Sequence, residues 1–487
     1  MKVQLVVFKN KNEIHFEVDA LIEIFLPVTK INFTDSIEAF DKLVSSGVTG
    51  VFLNTDESTV EMSMYMDKVL VERTLFVRSE TDRHEIKRHL YHMLERQFKP
   101  TSDWGILVGI RPVKIVHELW DQRYDEQSIR AILSDEYLVQ PNKVDLMIEV
   151  AKRERPHLYP NRKESVSLYI CIPFCPTRCV YCSFPSNDMK LKGKLLPKYL
   201  ELLMDEISYA IDQVELANKE IDCIYIGGGT PTSLDAPQLE TLLQKIESRL
   251  DLSQVKEYTV EAGRPDTITK EKLEIMKQYG VDRICINPQS FNNETLIQIG
   301  RKHDDQMIAE AFKVARSVGF KSINMDLIMG LPGESVDDAK RTISKVISFN
   351  PENVTIHTLA VKKASKLIES LEAYELAHDQ VVSEMLAISD HELRKVELTP
   401  YYMYRQKKMI GHLENVGYAL EGFESLYNMR IMEEKHTIVA CGAGAVSKIC
   451  FPDENRFERV ANFKGLEDYI DRFDEILKKK EAIINHK

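Results

Sequence analysis

Short β-branched or apolar runs alternate with longer amphipathic stretches between residue 165 and about residue 365 of this chain. This alternation predicts a parallel sheet, because parallel strands are joined by crossover connections that are usually helices. Six strand–helix units indicate a partial (β/α)6 relative of the TIM-like barrel, with functional side chains at the carboxyl ends of the strands. The predicted strands are Val166–Cys171, Cys223–Ile226, Tyr258–Glu261, Arg283–Asn287, Ser322–Ile328 and Asn353–Ala360. The predicted helices are Leu195–Ala217, Pro237–Leu250, Lys270–Tyr279, Ile308–Val318 and Val336–Phe349.

Two flanking regions complete the predicted α/β chain. We predict an N-terminal α+β domain over residues 1–160, the barrel-like core over residues 161–365, and a C-terminal helical or α+β extension over residues 366–487. The charged and proline-containing segment KRERPHLYPNRKE predicts the first boundary. The N-terminal region has strand-like runs and then a helical stretch: Val3–Phe8, His15–Val18, Val51–Leu53, Lys68–Val77 and the helix Asp82–Gln97. The C-terminal region begins with a long helical pattern over Leu367–Lys395.

The bulk composition narrows the class of protein. A length of 487 residues with 44% hydrophobic residues suits two or three globular domains. The net charge of −12 argues against broad nucleic-acid binding. No apolar run approaches a membrane span, and the first apolar run is too short for a signal peptide, so we expect a cytoplasmic protein. In a reducing cytosol the 8 cysteines are thiols or metal ligands.

Three cysteines follow the first predicted core strand. Cys175, Cys179 and Cys182 have the spacing CxxxCxxC, which can hold three corners of a 4Fe–4S cube and leave the fourth iron open to another ligand. Structural zinc is the alternative, but zinc normally takes four ligands, and Cys171 lies in the preceding strand. We therefore interpret the triplet as an iron–sulfur site. The remaining cysteines are interpreted as buried small hydrophobes: Cys223, Cys285, Cys441 and Cys450.

Polar residues and glycines cluster at the ends of the other predicted strands. Gly227–Pro231 directly follows the second strand, where glycines let the backbone approach a ligand, although a glycine triplet alone is more typical of a tight turn. Glu261, Gln289 and Asp326 end later strands, and buried carboxylates there are costly without a partner. Arg301 could bind a ligand carboxylate or be an ordinary surface arginine. These residues predict a ligand site beside the cysteine loop.

The combined motifs resemble a known superfamily. The pattern YxxIPFCxxxCxYCxF, with GGGTPT, PQSF, IGRKH and MDLIMGLPGE, is similar to the radical S-adenosylmethionine (SAM) superfamily. Within it, the match is to the anaerobic coproporphyrinogen III oxidase-like family. The segments LVGIRPVK, YYMYRQK and ENVGYA resemble the HemZ-type dehydrogenase branch and extend the similarity across nearly the whole chain.

The resemblance implies two cofactors and their ligands. A 4Fe–4S cluster would be held by Cys175, Cys179 and Cys182, and SAM would chelate the fourth iron and be cleaved to methionine and a 5′-deoxyadenosyl radical. Arg301 would pair with the methionyl carboxylate, and Tyr169 would pack near the cluster or SAM. The full set of implied SAM contacts is Tyr169, Tyr181, Gly228, Gly229, Thr230, Glu261, Gln289, Arg301, Asp326 and Ala360.

The resemblance also implies a substrate and partners. Coproporphyrinogen III would lose two propionate carboxyls and yield the vinyl groups of protoporphyrinogen IX. A flavodoxin- or ferredoxin-type protein would donate electrons, and the protein is expected to be a monomer without nucleic-acid partners. Basic residues that could bind the propionates, each explained equally well as surface charge, are Arg111, Lys114, Arg178, Lys362, Lys363 and Arg405.

Two other functions stay open at this point. A haem chaperone is known in the same branch, but its HNxxYW-like segment is not matched by GHLENVGYA, which holds His412 and Tyr418. Another radical SAM reaction on a tetrapyrrole, such as anaerobic haem ring opening, would use the same cofactors. The chain also departs from the better characterised branch, because Cys171 stands where a histidine is expected and the N-terminal region is different.

Overall fold

The computed structural model describes most of the chain, and every structural statement below concerns the described residues. These are residues 4–9, 15–26, 31–44, 48–55, 58–77, 82–109, 111–184, 186–362, 365–369, 374 and 376–484. The chain divides into two compact units, residues 1–148 and residues 149–487. Lys363, one of the predicted propionate-binding residues, lies outside the described residues.

The first unit contains a five-stranded mixed sheet. Its strand order is β2-β1-β3-β4-β5, in which β1 pairs in parallel with β2 and β3, and β4 pairs antiparallel with β3 and β5. The strands are β1 (Gln4–Lys9), β2 (Ile31–Thr34), β3 (Val48–Thr55), β4 (Thr59–Met66) and β5 (Val69–Val77). The helices that begin in this unit are α1 (His15–Phe25), α2 (Ile37–Leu43), α3 (Asp82–Glu95), α4 (Val113–Asp121), α5 (Glu126–Ala131) and α6 (Pro141–Leu158).

One strand prediction in this unit is wrong. The run His15–Val18 begins the helix α1 and is not a strand. Val18, Leu21, Ile22 and Phe25 are buried, and their spacing of three to four residues is that of one helix face. The four-residue window of the prediction was too short to show this period.

The second unit is built on an open sheet with a parallel centre. The six predicted core strands are confirmed, and they pair in parallel in the order β6-β9-β10-β11-β12-β13. Within the described ranges the sheet does not close into a barrel. These strands are β6 (Ser165–Ile172), β9 (Glu220–Gly228), β10 (Glu257–Gly263), β11 (Arg283–Gln289), β12 (Ser322–Met329) and β13 (Asn353–Thr358). A short pair, β7 (Phe174–Cys175) and β8 (Asn187–Asp188), lies in the cysteine loop.

The C-terminal segment extends both edges of this sheet. At one edge, β16 pairs in parallel with β6 and is followed by β17 and β18. At the other edge, β15 pairs antiparallel with β13, and β14 pairs with β15. Residues 366–487 therefore share one compact unit with the predicted core. The strands are β14 (Thr399–Tyr404), β15 (Asn415–Ala419), β16 (Ile438–Cys441), β17 (Val446–Phe451) and β18 (Arg456–Ala461).

The boundary between the two units lies inside α6, upstream of the predicted position at residue 160. Charge and proline suggested a linker, but Arg153 of this segment donates to the backbone oxygens of Thr399 at 2.9 Å and Ala419 at 3.0 Å. The predicted long helix Leu367–Lys395 is wrong, because residues 376–378 between α14 (Lys366–Glu369) and α15 (Asp379–Arg394) are not helical.

Parallel pairing places the carboxyl ends of the six core strands at one edge of the sheet. Asp235 and Ser335 begin α9 and α13 as capping boxes, with Gln238 and Asp338 completing them. None of the described helices combines the length and apolar composition that crossing a bilayer requires. The remaining helices of this unit are α7 (Met189–Lys192), α8 (Leu196–Leu216), α9 (Ala236–Glu247), α10 (Lys270–Gln278), α11 (Asn293–Gln298), α12 (Asp305–Val318), α13 (Val336–Ser348), α16 (Leu426–Glu433), α17 (Leu466–Asp471) and α18 (Phe473–Ile484).

Candidate functional site

A large cavity lies at the carboxyl ends of the parallel strands. Its volume is about 340 Å³, within the roughly 300–1,000 Å³ of pockets that bind small molecules. It is lined by all three cysteines of the CxxxCxxC motif and by nine of the ten predicted SAM contacts. Those nine are Tyr181, Gly228, Gly229, Thr230, Glu261, Gln289, Arg301, Asp326 and Ala360.

The cysteine loop is fixed by hydrogen bonds to the loops after β10 and β11. The amide of Val180 donates to the carbonyl of Ile299 at 3.1 Å, and the Thr177 hydroxyl donates to the carbonyl of Gly300 at 3.2 Å. Arg264 donates from Nη1 to the Thr177 hydroxyl at 2.8 Å. The loop is therefore held against the site before any ligand binds.

Two thiols of the motif, Cys175 and Cys182, need a nearby cation to be stable as thiolates. Burial raises the pKa of Cys175 to about 11 and also raises the pKa of Cys182. Cys175 Sγ accepts from the Thr230 hydroxyl at 3.5 Å. Cysteine thiols lose their protons when they bind iron, so this set of three sulfurs, with Cys175 and Cys179 buried and Cys182 half-buried, suits a metal cluster. The donor set fits three corners of a 4Fe–4S cluster.

Cys171 does not line the cavity. It is 5% exposed, and a Cβ atom added to Gly228 would lie 2.6 Å from its Sγ atom. Its carbonyl accepts from the Tyr199 hydroxyl at 2.6 Å. Cys171 therefore packs behind the glycine segment, and this position argues against a role as a fourth cluster ligand.

The glycine segment packs directly on the cysteine strand. The amide of Gly229 donates to the carbonyl of Ile172 at 2.9 Å, and the amide of Thr230 donates to the carbonyl of Phe174 at 2.8 Å. A Cβ atom on Gly229 would lie 2.6 Å from that Phe174 oxygen, and Gly228 has a φ of +107°. The segment fits both a tight turn and a ligand-binding loop. Its glycines are required for packing, and they also line the cavity.

Glu261 lies at the end of β10 with one strong hydrogen bond. Its Oε1 atom accepts from the Tyr225 hydroxyl at 2.6 Å. Burial raises the pKa of Glu261 to about 7, and nearby Asp326 adds to the shift. A carboxylate in this state can accept hydrogen bonds from ligand hydroxyl or ammonium groups.

Asp326 is oriented by two neighbours. Its Oδ1 atom accepts from Asn324 Nδ2 at 2.7 Å and lies 3.8 Å from Nε2 of His357. The other ring nitrogen of His357 lies 3.3 Å from the Tyr404 hydroxyl. Burial opposes ionisation, but the hydrogen bonds of His357 and Asn324 leave the pKa of Asp326 lowered. A polar row from β12 through β13 to β14 thus lies along the cavity wall.

Gln289 and its neighbours carry polar atoms without protein partners. Among the described residues, Gln289 Oε1, Asn287 Oδ1 and Arg301 Nε are buried and make no hydrogen bond. Gln289 also has a φ of +69°, a left-handed conformation that is rare for its residue type. Buried unpaired polar atoms and backbone strain at one place indicate a ligand site.

Arg301 is buried and charged. Its Nη1 atom donates to the carbonyl of Asn287 at 2.9 Å, and its Nη2 atom donates to the Tyr181 hydroxyl at 3.3 Å. Burial lowers its pKa, but Tyr181 and Cys179 outweigh burial and leave the pKa raised. A guanidinium beside the cysteine loop suits the carboxylate of an amino-acid ligand.

Glu334 supports the strained Gln289. The hydroxyl of Ser290, the next residue, donates to Oε1 of Glu334 and accepts from the amide of Asn292 at 3.0 Å. Burial raises the pKa of Glu334 to about 7. The sequence segment GLPGE contains Glu334, but only the structure places it under the PQS turn.

Of the other predicted site residues, some line the cavity and some do not. Tyr169 does not line the cavity; its ring stacks on Tyr225 with centroids 6.2 Å apart, so the structure places it one layer beneath the predicted position. Arg178 and Lys362 line the cavity, whereas Arg405 points elsewhere and donates to the carbonyl of His412 at 2.7 Å. Arg111 and Lys114 belong to the first unit.

Sequence reasoning missed one wall of the cavity. Side chains from β13, β14 and the segments around β15 line it, and no motif of the predicted core contains them. The alternation of polar and apolar residues in YYMYRQ was the available signal. The missed residues are His357, Tyr402, Tyr404, Gln406 and Asn415.

The arrangement fits a zwitterionic, diol-bearing cofactor beside a cluster. Arg301 can take a carboxylate, Glu261 and Asp326 can take hydroxyls, and the unpaired amide oxygen of Gln289 can take a donor. SAM has these groups, and its amino acid part can chelate an open iron. The residues present therefore fit SAM on a three-cysteine cluster.

Comparisons with known proteins give the family of the chain. The model of the radical SAM superfamily matches residues 169–346. The chain is 40% identical over 387 residues to the oxygen-independent coproporphyrinogen-III oxidase-like protein HemZ of Bacillus subtilis (strain 168), which covers 79% of this chain and 77% of that protein. It is 32% identical over 289 residues to the heme chaperone HemW of Escherichia coli (strain K12), with coverage of 59% and 71%.

A solved structure has the same fold. Coproporphyrinogen III oxidase (HemN) from Escherichia coli, described as a radical SAM enzyme, aligns with a TM-score of 0.53 at 22% identity, covering 66% of this chain and 71% of that chain. At this identity the likeness concerns the fold alone. The identity and coverage of the HemZ alignment are high enough to assign the family. The chain therefore belongs to the radical SAM superfamily and, within it, to the oxygen-independent coproporphyrinogen III oxidase-like family.

Proposed function

We propose that the protein is a radical SAM enzyme of anaerobic porphyrin biosynthesis that decarboxylates two propionates of coproporphyrinogen III. One observation carries the proposal: three cysteines, a SAM-compatible polar set and two cationic side chains line a single cavity. The HemZ relative, named an oxidase-like protein, supports this reaction over others in the superfamily.

Each proposed cofactor has its own set of residues. Cys175, Cys179 and Cys182 would hold a 4Fe–4S cluster. When bound, SAM and the reduced cluster supply a 5′-deoxyadenosyl radical, which removes hydrogen atoms from carbon. The proposed SAM contacts are Tyr181, Gly228, Gly229, Thr230, Glu261, Gln289, Arg301, Asp326 and Ala360, with Tyr169 supporting Tyr225 from below.

The chain's own residues would orient a polyanionic substrate. Arg178 and Lys362 lie on the cavity wall, and Arg178 donates to the carbonyl of Cys182 at 3.3 Å. Cations there can pair with propionates and hold the reacting carbon near the SAM site. Each of two propionates would lose one hydrogen atom, carbon dioxide and one electron to an acceptor, which leaves a vinyl group.

The wall formed by His357, Tyr402 and Tyr404 would complete the substrate pocket. These side chains lie on β13 and β14, and His357 Nε2 is 3.8 Å from Oδ1 of Asp326, a proposed SAM contact. Their hydroxyl and imidazole groups can donate hydrogen bonds to carboxylates, and their rings can contact pyrrole faces.

The proposal is tested by anaerobic incubation of the reconstituted protein with dithionite, SAM and coproporphyrinogen III. We expect protoporphyrinogen IX, read as fluorescent protoporphyrin after oxidation, to appear together with 5′-deoxyadenosine. Formation of 5′-deoxyadenosine without a porphyrin product would reject coproporphyrinogen III as the substrate and still support a SAM-cleaving enzyme. Ring-opened product from haem under the same conditions would assign the cavity to a different tetrapyrrole reaction.

A haem chaperone is the second candidate, because the chain is 32% identical to the heme chaperone HemW of Escherichia coli. Stoichiometric haem binding and transfer without turnover of coproporphyrinogen III would favour it. His412 and Tyr418 do not share a cavity position that supports this role, since Tyr418 is 4% exposed and donates to Asp390 at 3.1 Å.

A further inference from the structure

A lysine-rich segment directly follows the cysteine loop. Residues 184–198 contain four lysines and one aspartate, a local net charge of +3 in a chain whose net charge is −12. We define the lysine patch as Phe184, Lys190, Leu191, Lys194 and Lys198. These residues lie between the end of the cysteine loop and the first turn of α8.

The lysine patch is exposed and partly apolar. Leu191 is 76% exposed and Phe184 is 65% exposed. Lys190 and Lys194 are exposed and form no ion pair with another described residue, whereas Lys198 pairs with Glu201 at 3.0 Å. Exposed apolar side chains rimmed by polar or charged residues are typical of a protein-binding surface.

Strand pairing places the patch beside a proposed cluster ligand. In the β7–β8 pair, Cys175 is in register with Asp188, and paired strands lie about 4.8 Å apart. Asp188 then caps α7, accepting from the amide of Lys190 at 2.8 Å. Phe184, two residues after Cys182, also lines the cavity. The patch is therefore continuous with the loop that would hold the cluster.

We propose that the lysine patch is the docking surface for a small acidic one-electron carrier protein of the flavodoxin or ferredoxin kind. The inference rests on the proposed function, because a SAM-cleaving cluster must receive one electron for each cleavage. The reduced carrier loses that electron, the oxidised cluster gains it, and no atom is transferred. Complementary charge would steer the carrier to the surface nearest Cys175, and the two apolar side chains would form the centre of the contact.

The position of the lysines distinguishes this partner from the substrate. None of the three patch lysines lines the cavity, so a porphyrinogen bound to them would lie outside the reaction site. Nucleic acid is also a poorer fit, because acidic Glu201 and Glu467 border the patch and the chain is acidic overall. An acidic protein can contact all three lysines and the apolar pair at once.

The test compares a charge-reversed triple variant, Lys190→Glu, Lys194→Glu and Lys198→Glu, with the wild type. The matched control is Lys313→Glu, Lys340→Glu and Lys345→Glu, which reverses three exposed lysines on α12 and α13 that do not line the cavity. The first readout is binding of oxidised flavodoxin by calorimetry at two salt concentrations. The second is the rate of 5′-deoxyadenosine formation, driven either by flavodoxin with its NADPH-dependent reductase or by dithionite.

We expect the patch variant to lose about tenfold or more of its flavodoxin affinity and flavodoxin-driven rate at low salt, and to keep its dithionite-driven rate. Carbodiimide cross-links from the patch lysines to flavodoxin carboxylates should form in the wild type. Equal losses in both variants, loss of the dithionite-driven rate, or a raised KM for coproporphyrinogen III alone would overturn the proposal. Absence of deoxyadenosine in the wild type with dithionite would instead count against the proposed function, while the binding measurement would still test the patch.

Discussion

Buried charged groups at the amino ends of the parallel strands have partners within the protein, whereas polar groups at the carboxyl ends lack them among the described residues. At the amino end, Asp222 accepts from Arg430 at 2.6 and 3.0 Å and from Lys256 at 2.9 Å. Glu257 accepts from the backbone amide of Leu426 at 2.6 Å, at the start of α16. Buried charges at this end are paired within the protein.

At the carboxyl end, polar groups lack such partners. Gln289 Oε1 and Arg301 Nε make no hydrogen bond within the described part of the chain. Burial raises the pKa of Glu261 and of Glu334 to about 7. At the amino end burial acts in the same direction, but Arg430 and Lys256 outweigh it and lower the pKa of Asp222 to about 2.

This difference in pairing indicates that one end of the sheet contributes mainly to stability and the other end mainly to ligand binding. Paired charges at the amino end hold the strands and α16 together, whereas unpaired groups at the carboxyl end are available to a ligand. The Tyr258 hydroxyl is an exception, because it is buried near the amino end without a partner among the described residues. Substitutions at the two ends should therefore change different observables.

Replacing a cysteine at the carboxyl end should have the largest effect on function. We expect Cys179→Ala to abolish cluster absorbance and deoxyadenosine formation, because two thiolates cannot hold the cube. Far-UV circular dichroism should be unchanged. The matched control is Cys450→Ala, since Cys450 lies in β17 and its Sγ contacts the carbonyl of Glu434 at 3.0 Å, away from the cavity. A fully loaded Cys179→Ala protein would reject the ligand assignment.

Breaking a charge pair at the amino end should have the largest effect on stability. Arg430→Met leaves Asp222 buried with Lys256 alone, and we expect a loss of about 3–5 kcal/mol in the free energy of unfolding, measured by denaturant titration. The control Arg456→Met removes an exposed arginine paired with Glu454 at 2.6 Å and should leave the free energy of unfolding close to the wild-type value. SAM affinity of the folded Arg430→Met protein should match the wild type; a matching loss of affinity would break the separation between the two ends.

Glu334 should make stability depend on pH. Its folded pKa of about 7 lies above the unfolded value of 4.5, so its contribution is fully present below pH 4.5 and is lost as pH rises through 7. Compared with Glu334→Gln, the wild type should lose up to about 3 kcal/mol of unfolding free energy between pH 4.5 and pH 8. Parallel pH profiles of the two proteins would show that Glu334 titrates normally.

Gln289 should give the smallest and most specific effect. Gln289→Gly and Gln289→Ala both remove the amide, so both should raise the KM for SAM about tenfold, the loss of one hydrogen bond to a charged group. Only glycine relieves the left-handed backbone at φ +69°, so we expect the glycine variant to be about 1 kcal/mol more stable than the alanine variant. Equal stabilities would mean that the backbone strain is not significant.

The sequence predicted the parallel strands and most of the carboxyl-end site. Those strands are largely apolar runs, and their chemistry-bearing residues lie in their carboxyl-terminal halves, as Glu261 and Asp326 do. Because parallel strands end at one edge, residues far apart in sequence could be placed together without coordinates.

The added edge strands and the second cavity wall could not be predicted, because strand pairing and register are not encoded in local sequence patterns. The four-residue strand Ile438–Cys441 joins β6, more than 260 residues earlier in the chain, and nothing in its own composition specifies that edge. His357 and Tyr404 meet only because β13 and β14 both flank β15. Motif spacing likewise does not predict the turn that places Glu334 under Gln289.

The C-terminal segment covers both outer edges of the parallel strands, β6 through β16 and β13 through β15. The superfamily match ends at residue 346, before any of these covering strands. A fragment cut to the matched region would expose unpaired backbone along the strand that leads into the cysteine loop, and such an edge recruits other chains. The region that the superfamily model matches is therefore not an independent module, and swaps, fusions or truncations must also carry residues 347–461, which include β13 and all the covering strands.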